Sequence, residues 1–273
     1  EGKIFVSMPG VPFEMKGMML DSVLPALQKQ FNLPAITHRT LLVAGIGESY
    51  LAEHIQDFET NLPKNIKLAY LPNYGLVRLR LTGMGIDRMS LDLELDKQFT
   101  DLKKLVSEWM VVDEDLSLQE AIGKILKSGN KTIATAESCT GGYIAHLITS
   151  VPGSSVYYKG SIVSYANEVK EKMLMVSPET LTSVGAVSEE TVREMVQGTL
   201  IQINADYVVA TSGIMGPDGG TPEKPVGTAW IAVGNRNKIQ TQKMSFRFDR
   251  QRNIELTATN ALNMLRKFIL TEE

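Results

Sequence analysis

Short apolar strands alternate with amphipathic helices from Ser117 to the end of the chain. Residues 131–136 form a run of small residues typical of a buried strand, residues 141–150 have helical spacing, and residues 161–165 are again strand-like. The same patterns predict helices after Ser188 and at 251–268, and strands at 207–212, 227–233 and 238–248. This alternation predicts a three-layer α/β domain in which helices cover both faces of a sheet. Ligands bind such domains in the loops that leave the strand ends.

The 273 residues are enough for two compact cores, and the part before the α/β domain has its own pattern. The elements predicted there are a strand at 40–43, a helix at 49–58, a hairpin of strands at 67–71 and 77–82, and a covering helix at 91–106. We therefore expect a small α+β domain over residues 35–112 and the α/β domain over residues 113–273.

Residues 1–34 hold only a predicted strand at 4–6 and a predicted helix at 14–30. A lone strand and a lone helix cannot build a core. The chain also opens with Glu1 where a start methionine would stand. We interpret these residues as the remnant of a further domain, and the chain as a fragment of a longer protein.

Charge and composition limit the class of protein. The net charge is only -3 at pH 7, so no large basic surface is present to hold nucleic acid through its phosphates. The chain has one cysteine and no apolar stretch long enough to span a membrane. We expect no nucleic-acid or membrane partner, no metal or other cofactor, and by default a cytoplasmic location.

A serine stands at the turn between a predicted strand and a predicted helix, in the run Ala136-Glu137-Ser138-Cys139-Thr140-Gly141-Gly142. Backbone N–H groups are free at such a turn, and the positive end of the helix attracts anions. A serine placed there can attack an amide while neighbouring N–H groups stabilise the oxyanion. From spacing alone, however, a helix-capping role is the more common one for such a serine.

A nucleophilic serine needs a base, and no histidine is suitably placed. His38 and His54 lie in the first predicted domain, and His146 lies in the middle of a predicted helix. Tyr165 and Lys170 follow a predicted strand and are the alternative candidates. A lysine acts as a base only when burial or a second cation lowers its pKa. Without such a shift, Lys170 is an exposed lysine at a helix start.

Two further segments are candidates for binding an anion. The connection 211–227 contains five glycines and three prolines, and it is either a ligand-binding loop or a rigid structural one. The groups in it that could cradle a phosphate are Gly219, Gly220, Thr221 and Lys224. Charged residues also cluster at 247–252, before the last helix, where an arginine could bind a phosphate or carboxylate.

Several motifs, taken in order, resemble the C-terminal domain of the CinA family. They are the Ser138 run quoted above, Val151-Pro152-Gly153-Ser154-Ser155, Ser164-Tyr165-Ala166-Asn167-Glu168-Val169-Lys170, Gly185-Ala186-Val187-Ser188 and Gly213-Ile214-Met215-Gly216-Pro217-Asp218-Gly219-Gly220-Thr221. Residues 35–112 resemble the KH-like middle domain of full-length CinA proteins. Residues 6–16 resemble the end of the molybdopterin-binding-like domain that precedes it.

The resemblance implies an activity and a set of residues. The activity is hydrolysis of the carboxamide of nicotinamide mononucleotide to nicotinate mononucleotide and ammonia, a step of pyridine-nucleotide salvage. Ser138 is implied as the nucleophile, with Tyr165 and Lys170 moving protons. The residues that we expect at the nucleotide substrate are Thr140, Gly141, Gly142, Thr211, Gly219, Gly220, Thr221, Lys224 and Arg252.

Other consequences and alternatives accompany this interpretation. ADP-ribose pyrophosphatase activity, which the family assigns to the missing first domain, should be absent. The assembly that we expect is a homodimer. The alternatives are a nucleotide-binding regulatory module without turnover, and a metal-dependent phosphohydrolase in which Glu137 and Asp218 recruit magnesium.

Overall fold

The computed structural model describes residues 3–31 and 33–272. Two short helices, α1 (Pro12–Met18) and α2 (Leu24–Gln30), flank a π-helical turn, Met19–Val23. The helix predicted at 14–30 is therefore confirmed. The strand predicted at 4–6 is wrong, because residues 3–9 form no regular structure within the described part of the chain. No side chain described between residues 3 and 31 is buried.

A four-stranded antiparallel sheet organises the smaller domain. Its elements are β1 (Ala35–Ala44), α3 (Glu48–His54), α4 (Gln56–Thr60), β2 (Ile66–Asn73), β3 (Leu76–Gly85), α5 (Arg88–Leu105) and β4 (Met110–Val112). The strand order is β2-β3-β1-β4, and β2 and β3 form the predicted hairpin. The three-residue strand β4 was not predicted, because it is too short to show a period.

A five-stranded mixed sheet organises the larger domain. Its elements are α6 (Leu118–Ser128), β5 (Ile133–Glu137), α7 (Tyr143–Thr149), β6 (Tyr158–Val163), α8 (Asn167–Leu174), α9 (Pro178–Ser183), α10 (Glu189–Ile203), β7 (Tyr207–Gly213), β8 (Thr228–Gly234), β9 (Ile239–Ser245) and α11 (Arg250–Glu272). The strand order is β6-β5-β7-β8-β9. Strand β5 is parallel to β6 and β7, whereas β8 is antiparallel to β7 and to β9.

Helices cover both faces of this sheet, which confirms the predicted three-layer α/β architecture. Consecutive residues of β5 point to opposite faces of the sheet. Ile133 packs in a cluster with α6, α7 and α11, and Ala134 packs in a cluster with α8 and α10. Strand β5 is buried along its whole length for this reason. The Ser117 side chain caps α6 in a reciprocal capping box with Glu120, as its spacing from the helix predicts.

The smaller domain has a core of its own and also contributes a strand residue to the core of the α/β domain. Leu41 of β1 faces the interior of the smaller domain, whereas its neighbour Leu42 belongs to the same cluster as Leu118 of α6 and Leu262 of α11. The sheet of the smaller domain is thus covered on one face by its own helices. On the other face, the part around Leu42 packs against the α/β domain, whereas Ile36 and His38 are exposed. None of the described helices combines the length and the apolar composition needed to cross a membrane.

The topology brings three chain segments together at one edge of the larger sheet. Glu137, the last residue of β5, lies in register with Val163 at the end of β6 and with Thr211 near the end of β7. Parallel strands end at the same edge, so the loops that follow them meet there. The Ser138 turn, α8 and the glycine-rich connection all begin at this edge.

Candidate active site

The side chains of Ser138 and Lys170 meet at this edge of the sheet. Ser138 follows β5 directly, and Lys170 lies in the first turn of α8. The Nζ atom of Lys170 is 3.0 Å from the Oγ atom of Ser138. The same Nζ atom donates to the backbone carbonyls of Ser164, at 2.7 Å, and Tyr165, at 3.4 Å. Two carbonyls can take both N–H groups of a neutral amine, which leaves its lone pair for the serine hydroxyl.

Lys170 is buried, with 1% of its surface exposed. The structure therefore contradicts the alternative of an exposed lysine at a helix start. Burial withdraws the ammonium group from water and lowers the pKa of Lys170 from its ordinary 10.5. A lowered pKa increases the fraction of neutral amine near neutral pH, and a neutral amine can accept a proton.

A close contact between two helices holds Lys170 at this depth. A Cβ atom on Gly198 of α10 would lie 1.8 Å from the carbonyl oxygen of Leu174, the last residue of α8. Only glycine permits this approach. The packing of α10 on the end of α8 therefore positions the helix that carries the lysine.

The carboxylate of Glu137 occupies the N-terminal end of α7. It is fully buried and accepts hydrogen bonds from the amides of Gly142, Ile144 and Ala145 at 3.1, 3.0 and 2.8 Å, and from the hydroxyl of Thr140 at 2.7 Å. A negative charge at this position satisfies free N–H groups and compensates the helix dipole. The anion site that the sequence predicts for a substrate at this helix is thus filled by the chain itself.

Four residues that we expected at the substrate support the Ser138 turn instead. The hydroxyls of Thr140 and Thr211 are buried and 2.8 Å apart, and the amide of Ser138 donates to the Thr211 carbonyl at 3.0 Å. Gly141 and Gly142 have φ angles of 59° and 96°, which glycine adopts without strain. None of the four lines the cleft beside Ser138.

Cys139 does not compete with Ser138 as a nucleophile near neutral pH. The thiol is buried, and burial raises the pKa of Cys139 to about 12. The amide of Cys139, a residue that lines the cleft, donates to no oxygen atom among the residues that the structure describes. This N–H group is consequently available as a donor to an oxyanion in the cleft.

A cleft of about 180 Å³ opens beside Ser138 and Lys170. Apolar and polar side chains from several elements line it, as is usual for sites that bind small molecules. The other lining residues are Cys139, Tyr165, Asn167, Ala186, Val187, Ser212, Gly213, Met215 and Arg250.

Arg250 lines this cleft, whereas Arg252 does not. Arg250 donates from Nη2 to the hydroxyl of Tyr165 at 3.1 Å and from Nη1 to the carbonyl of Gly216 at 2.8 Å. The Tyr165 hydroxyl thus faces a guanidinium group. The guanidinium of Arg252, which the resemblance selects, stacks on the Phe248 ring at 4.0 Å and lies outside the cleft.

The predicted phosphate cradle also lies outside the cleft. The amide of Thr221 donates to the Lys224 carbonyl at 2.9 Å, and the Lys224 amide donates to the Thr221 hydroxyl at 3.1 Å, which closes a turn. The Nζ atom of Lys224 donates to the carbonyl of Val184 at 2.6 Å. Gly219 and Gly220 are exposed beside this turn. The structure does not bring these residues to the serine.

The two acids considered for a magnesium site, Glu137 and Asp218, have different surroundings. Glu137 is surrounded by N–H and O–H donors, and Asp218 is exposed on the glycine-rich connection. Within residues 3–31 and 33–272, no three His, Cys, Asp or Glu side chains are grouped so that they could hold a metal ion.

Sequence reasoning missed part of the cleft. Asn167, Ala186 and Val187 lie inside quoted motifs, so membership of a motif was the available signal for them. Arg250 carried no signal that separates it from the neighbouring arginines, because which of them faces the cleft depends on where α11 begins.

Two family models match the chain. The model described as "CinA C-terminal domain" matches residues 115–269, and the model described as "Damage-inducible protein CinA KH domain" matches residues 38–109. The chain belongs to the CinA family. The first match contains Ser138 and Lys170, and the second contains the β2–β3 hairpin of what is hereafter called the KH domain.

Relatives and solved structures agree with the family. CinA-like proteins of Cytophaga hutchinsonii and Flavobacterium psychrophilum are 46% and 43% identical over 97% and 99% of this chain. The chain spans 64% and 65% of the length of these two relatives. The competence/damage inducible protein CihA from Agrobacterium tumefaciens is 39% identical with a TM-score of 0.54, over 54% of this chain and 91% of that structure. The protein ComA from Klebsiella pneumoniae is 33% identical with a TM-score of 0.56, over 57% and 97%.

Proposed function

We propose that this CinA-family chain hydrolyses the carboxamide of nicotinamide mononucleotide to nicotinate mononucleotide and ammonia. The observation that carries the proposal is the 3.0 Å contact between the buried Nζ atom of Lys170 and the Oγ atom of Ser138. An amine and a hydroxyl at this distance, shielded from water, are a base and a nucleophile suited to attack on an amide. The choice of substrate rests on the resemblance of the motifs to the CinA C-terminal domain.

The reaction proceeds through an ester of Ser138. The Oγ atom attacks the carboxamide carbon while Nζ of Lys170 takes the hydroxyl proton. The amide of Cys139 stabilises the oxyanion. The Lys170 ammonium then returns its proton to the leaving nitrogen, and ammonia departs. A water molecule, deprotonated by the same amine, attacks the ester carbonyl, and nicotinate mononucleotide is released from the restored serine.

Arg250 is the group that we assign to the substrate phosphate. Its guanidinium lines the cleft and hydrogen-bonds to the neutral hydroxyl of Tyr165 and the neutral carbonyl of Gly216, so its charge is not paired by these contacts. The cleft is small, at about 180 Å³, which suits the pyridine carboxamide and places the ribose phosphate at its rim. Tyr165 is positioned by Arg250 at the same rim.

The test is ammonia release from nicotinamide mononucleotide. We expect Ser138→Ala and Lys170→Ala each to lose at least about a hundredfold in rate, since each removes one partner of the nucleophile and base. Lys172→Ala is the matched control, because Lys172 lies on the same helix with its side chain exposed, and it should stay within about twofold of the parent. Full activity in either of the first two variants would contradict the mechanism.

Calorimetry with nicotinamide mononucleotide separates a nucleophile from a helix cap. Ser138→Ala should retain binding if the serine acts in chemistry, since its amide contact to Thr211 does not need the hydroxyl. Binding by the parent chain without any ammonia release would instead favour a nucleotide-sensing module.

A further inference from the structure

A second and more enclosed cavity, of about 190 Å³, lies between the KH domain and the α/β domain. One wall comes from β1 and the β2–β3 hairpin, and the other comes from α6, α7 and α11. Most of its apolar lining is leucine, at Leu42, Leu71, Leu76, Leu118, Leu147 and Leu262. It shares no lining residue with the Ser138 cleft.

One end of this cavity contains a carboxylate oxygen without a partner. The Oε1 atom of Glu255 accepts a hydrogen bond from Gln251 at 2.7 Å. The Oε2 atom is buried and has no hydrogen-bond partner among the described residues. A buried carboxylate oxygen that lacks a donor destabilises the fold, so such an atom indicates that another molecule supplies the donor.

Two tyrosines lie near the carboxylate of Glu255. Tyr74, at the tip of the hairpin, and Tyr143, in the first turn of α7, both line the cavity. A hydrogen bond to the Glu255 carboxylate and the charge of that carboxylate raise the pKa of Tyr74, and burial together with Glu255 raises the pKa of Tyr143. Both rings are therefore near the carboxylate, whose Oε2 atom still has no partner within hydrogen-bonding geometry among the described residues.

The charge of the cavity is unbalanced. Arg78, on the same lining, has its own anion, because its Nε atom is 3.2 Å from Asp115. Glu255 forms no ion pair within the described part of the chain. A site with a leucine-rich lining and one unpaired negative charge is complementary to an aromatic cation. Water alone could donate a hydrogen bond to the carboxylate, but filling the leucine-lined space with water is unfavourable in free energy.

We propose that the interdomain cavity binds a small aromatic cation, whose N–H group donates to Oε2 of Glu255 and whose ring packs against the leucines. The ligand would touch two helices that also serve the active site. Helix α7 follows the Ser138 turn, and α11, which carries Glu255, begins at Arg250. The cavity is therefore placed to regulate the cleft without blocking it.

Benzamidine is the probe for this site, with benzyl alcohol as its uncharged counterpart. Calorimetry on the whole chain should detect one benzamidine site. Glu255→Gln should weaken benzamidine binding at least about tenfold through loss of a charge-assisted hydrogen bond, and should change benzyl alcohol binding by less than about twofold. Glu190→Gln, at an exposed position in the first turn of α10, is the control and should change neither. Equal benzamidine affinity in the parent and Glu255→Gln, or no binding at millimolar concentration, would overturn the proposal.

A second variant locates the probe independently of charge. Leu147→Phe adds volume to the cavity from α7 and should abolish benzamidine binding, with the unfolding midpoint confirming that the variant is folded. Ser138→Ala, in the other cleft, should bind benzamidine like the parent. Binding retained in Leu147→Phe would place the probe elsewhere and refute the proposal. Because calorimetry needs no turnover, these outcomes do not depend on whether the chain is an amidase.

Discussion

At the scale of single residues, Lys170 couples the fold to the proposed chemistry. Folding withdraws its amine from water and lowers its pKa, and the same burial places it 3.0 Å from Ser138. The reactive form is the neutral amine, since an ammonium group cannot accept the serine proton. The environment of one side chain thus favours the protonation state that the proposed mechanism requires.

We predict that kcat/KM for ammonia release rises with pH through the lowered pKa of Lys170 and levels off above it. Below that pKa the amine is protonated, so each pH unit of acidification should cost up to about tenfold in rate. Lys170→Arg should show no such rise, because a guanidinium stays protonated at these pH values. A pH–rate profile for the parent that is flat from pH 5 to 10 would argue against Lys170 as the base.

A second prediction concerns Glu137. The substitution Glu137→Gln removes a buried charge that caps α7 and turns an amide NH2 group toward the N–H donors of Gly142, Ile144 or Ala145. We expect about 2–3 kcal/mol of lost stability in urea denaturation, together with a fall in kcat because the Ser138 turn is displaced. Glu190→Gln is the matched control and should be neutral in both measurements. An unchanged midpoint for Glu137→Gln would show that the cap does not stabilise the turn.

At the scale of secondary structure, the contact between α8 and α10 determines where the lysine lies. Gly198→Ala would place a methyl group against the Leu174 carbonyl, so the two helices must separate. We predict a loss of at least about 2 kcal/mol in the free energy of unfolding, and a fall in the proposed amidase activity because Lys170 moves with α8. Gly17→Ala is the control, since nothing lies within 4 Å of that position in α1. The idea fails if both variants behave alike.

Elements that carry both an apolar period and a turn or cap signal in their own residues could be predicted from the sequence. The β2–β3 hairpin, α5, α6 and α10 each show an apolar period and a turn or cap, and the structure confirms them. The sequence analysis considered a helix start near Lys170 but predicted no bounds for helix α8, because its buried face consists of Lys170 and Leu174. A lysine on the buried face erases the amphipathic signal by which a short helix is recognised. The strand predicted at 4–6 failed for another reason, since a strand needs a partner that sequence patterning does not reveal.

The same distinction applies to the candidate site. Ser138 and Lys170 follow neighbouring strands, so their approach could be expected from topology. Which arginine faces the cleft depends on the residue at which α11 begins. Whether Glu137 caps a helix depends on the conformation of the chain at the start of α7. These are tertiary facts, which is why the resemblance selected Arg252 and the helix amides for the substrate.

At the scale of the whole molecule, the cluster that contains Leu42 and Leu262 joins the two domains, and we expect it to couple their unfolding. We predict a single calorimetric unfolding transition for the parent. Leu42→Asp buries an unpaired charge in this cluster and should lower stability by at least about 3 kcal/mol and separate the transitions of the two domains. Leu93→Asp, at a position in the KH domain that is 70% exposed, should preserve the single transition. A single transition in Leu42→Asp would disprove the coupling.

The anion that Glu137 supplies inside the α/β domain has a consequence for how such a protein can diversify. Because the chain carries its own counter-charge for α7, the turn that presents Ser138 is assembled during folding, with or without a nucleotide. If the proposed function holds, the interior of the domain supplies the reactive serine, and the rim formed by Tyr165 and Arg250 selects the substrate. We then expect substitutions at the rim to redirect the protein to another amide without rebuilding the group that attacks it.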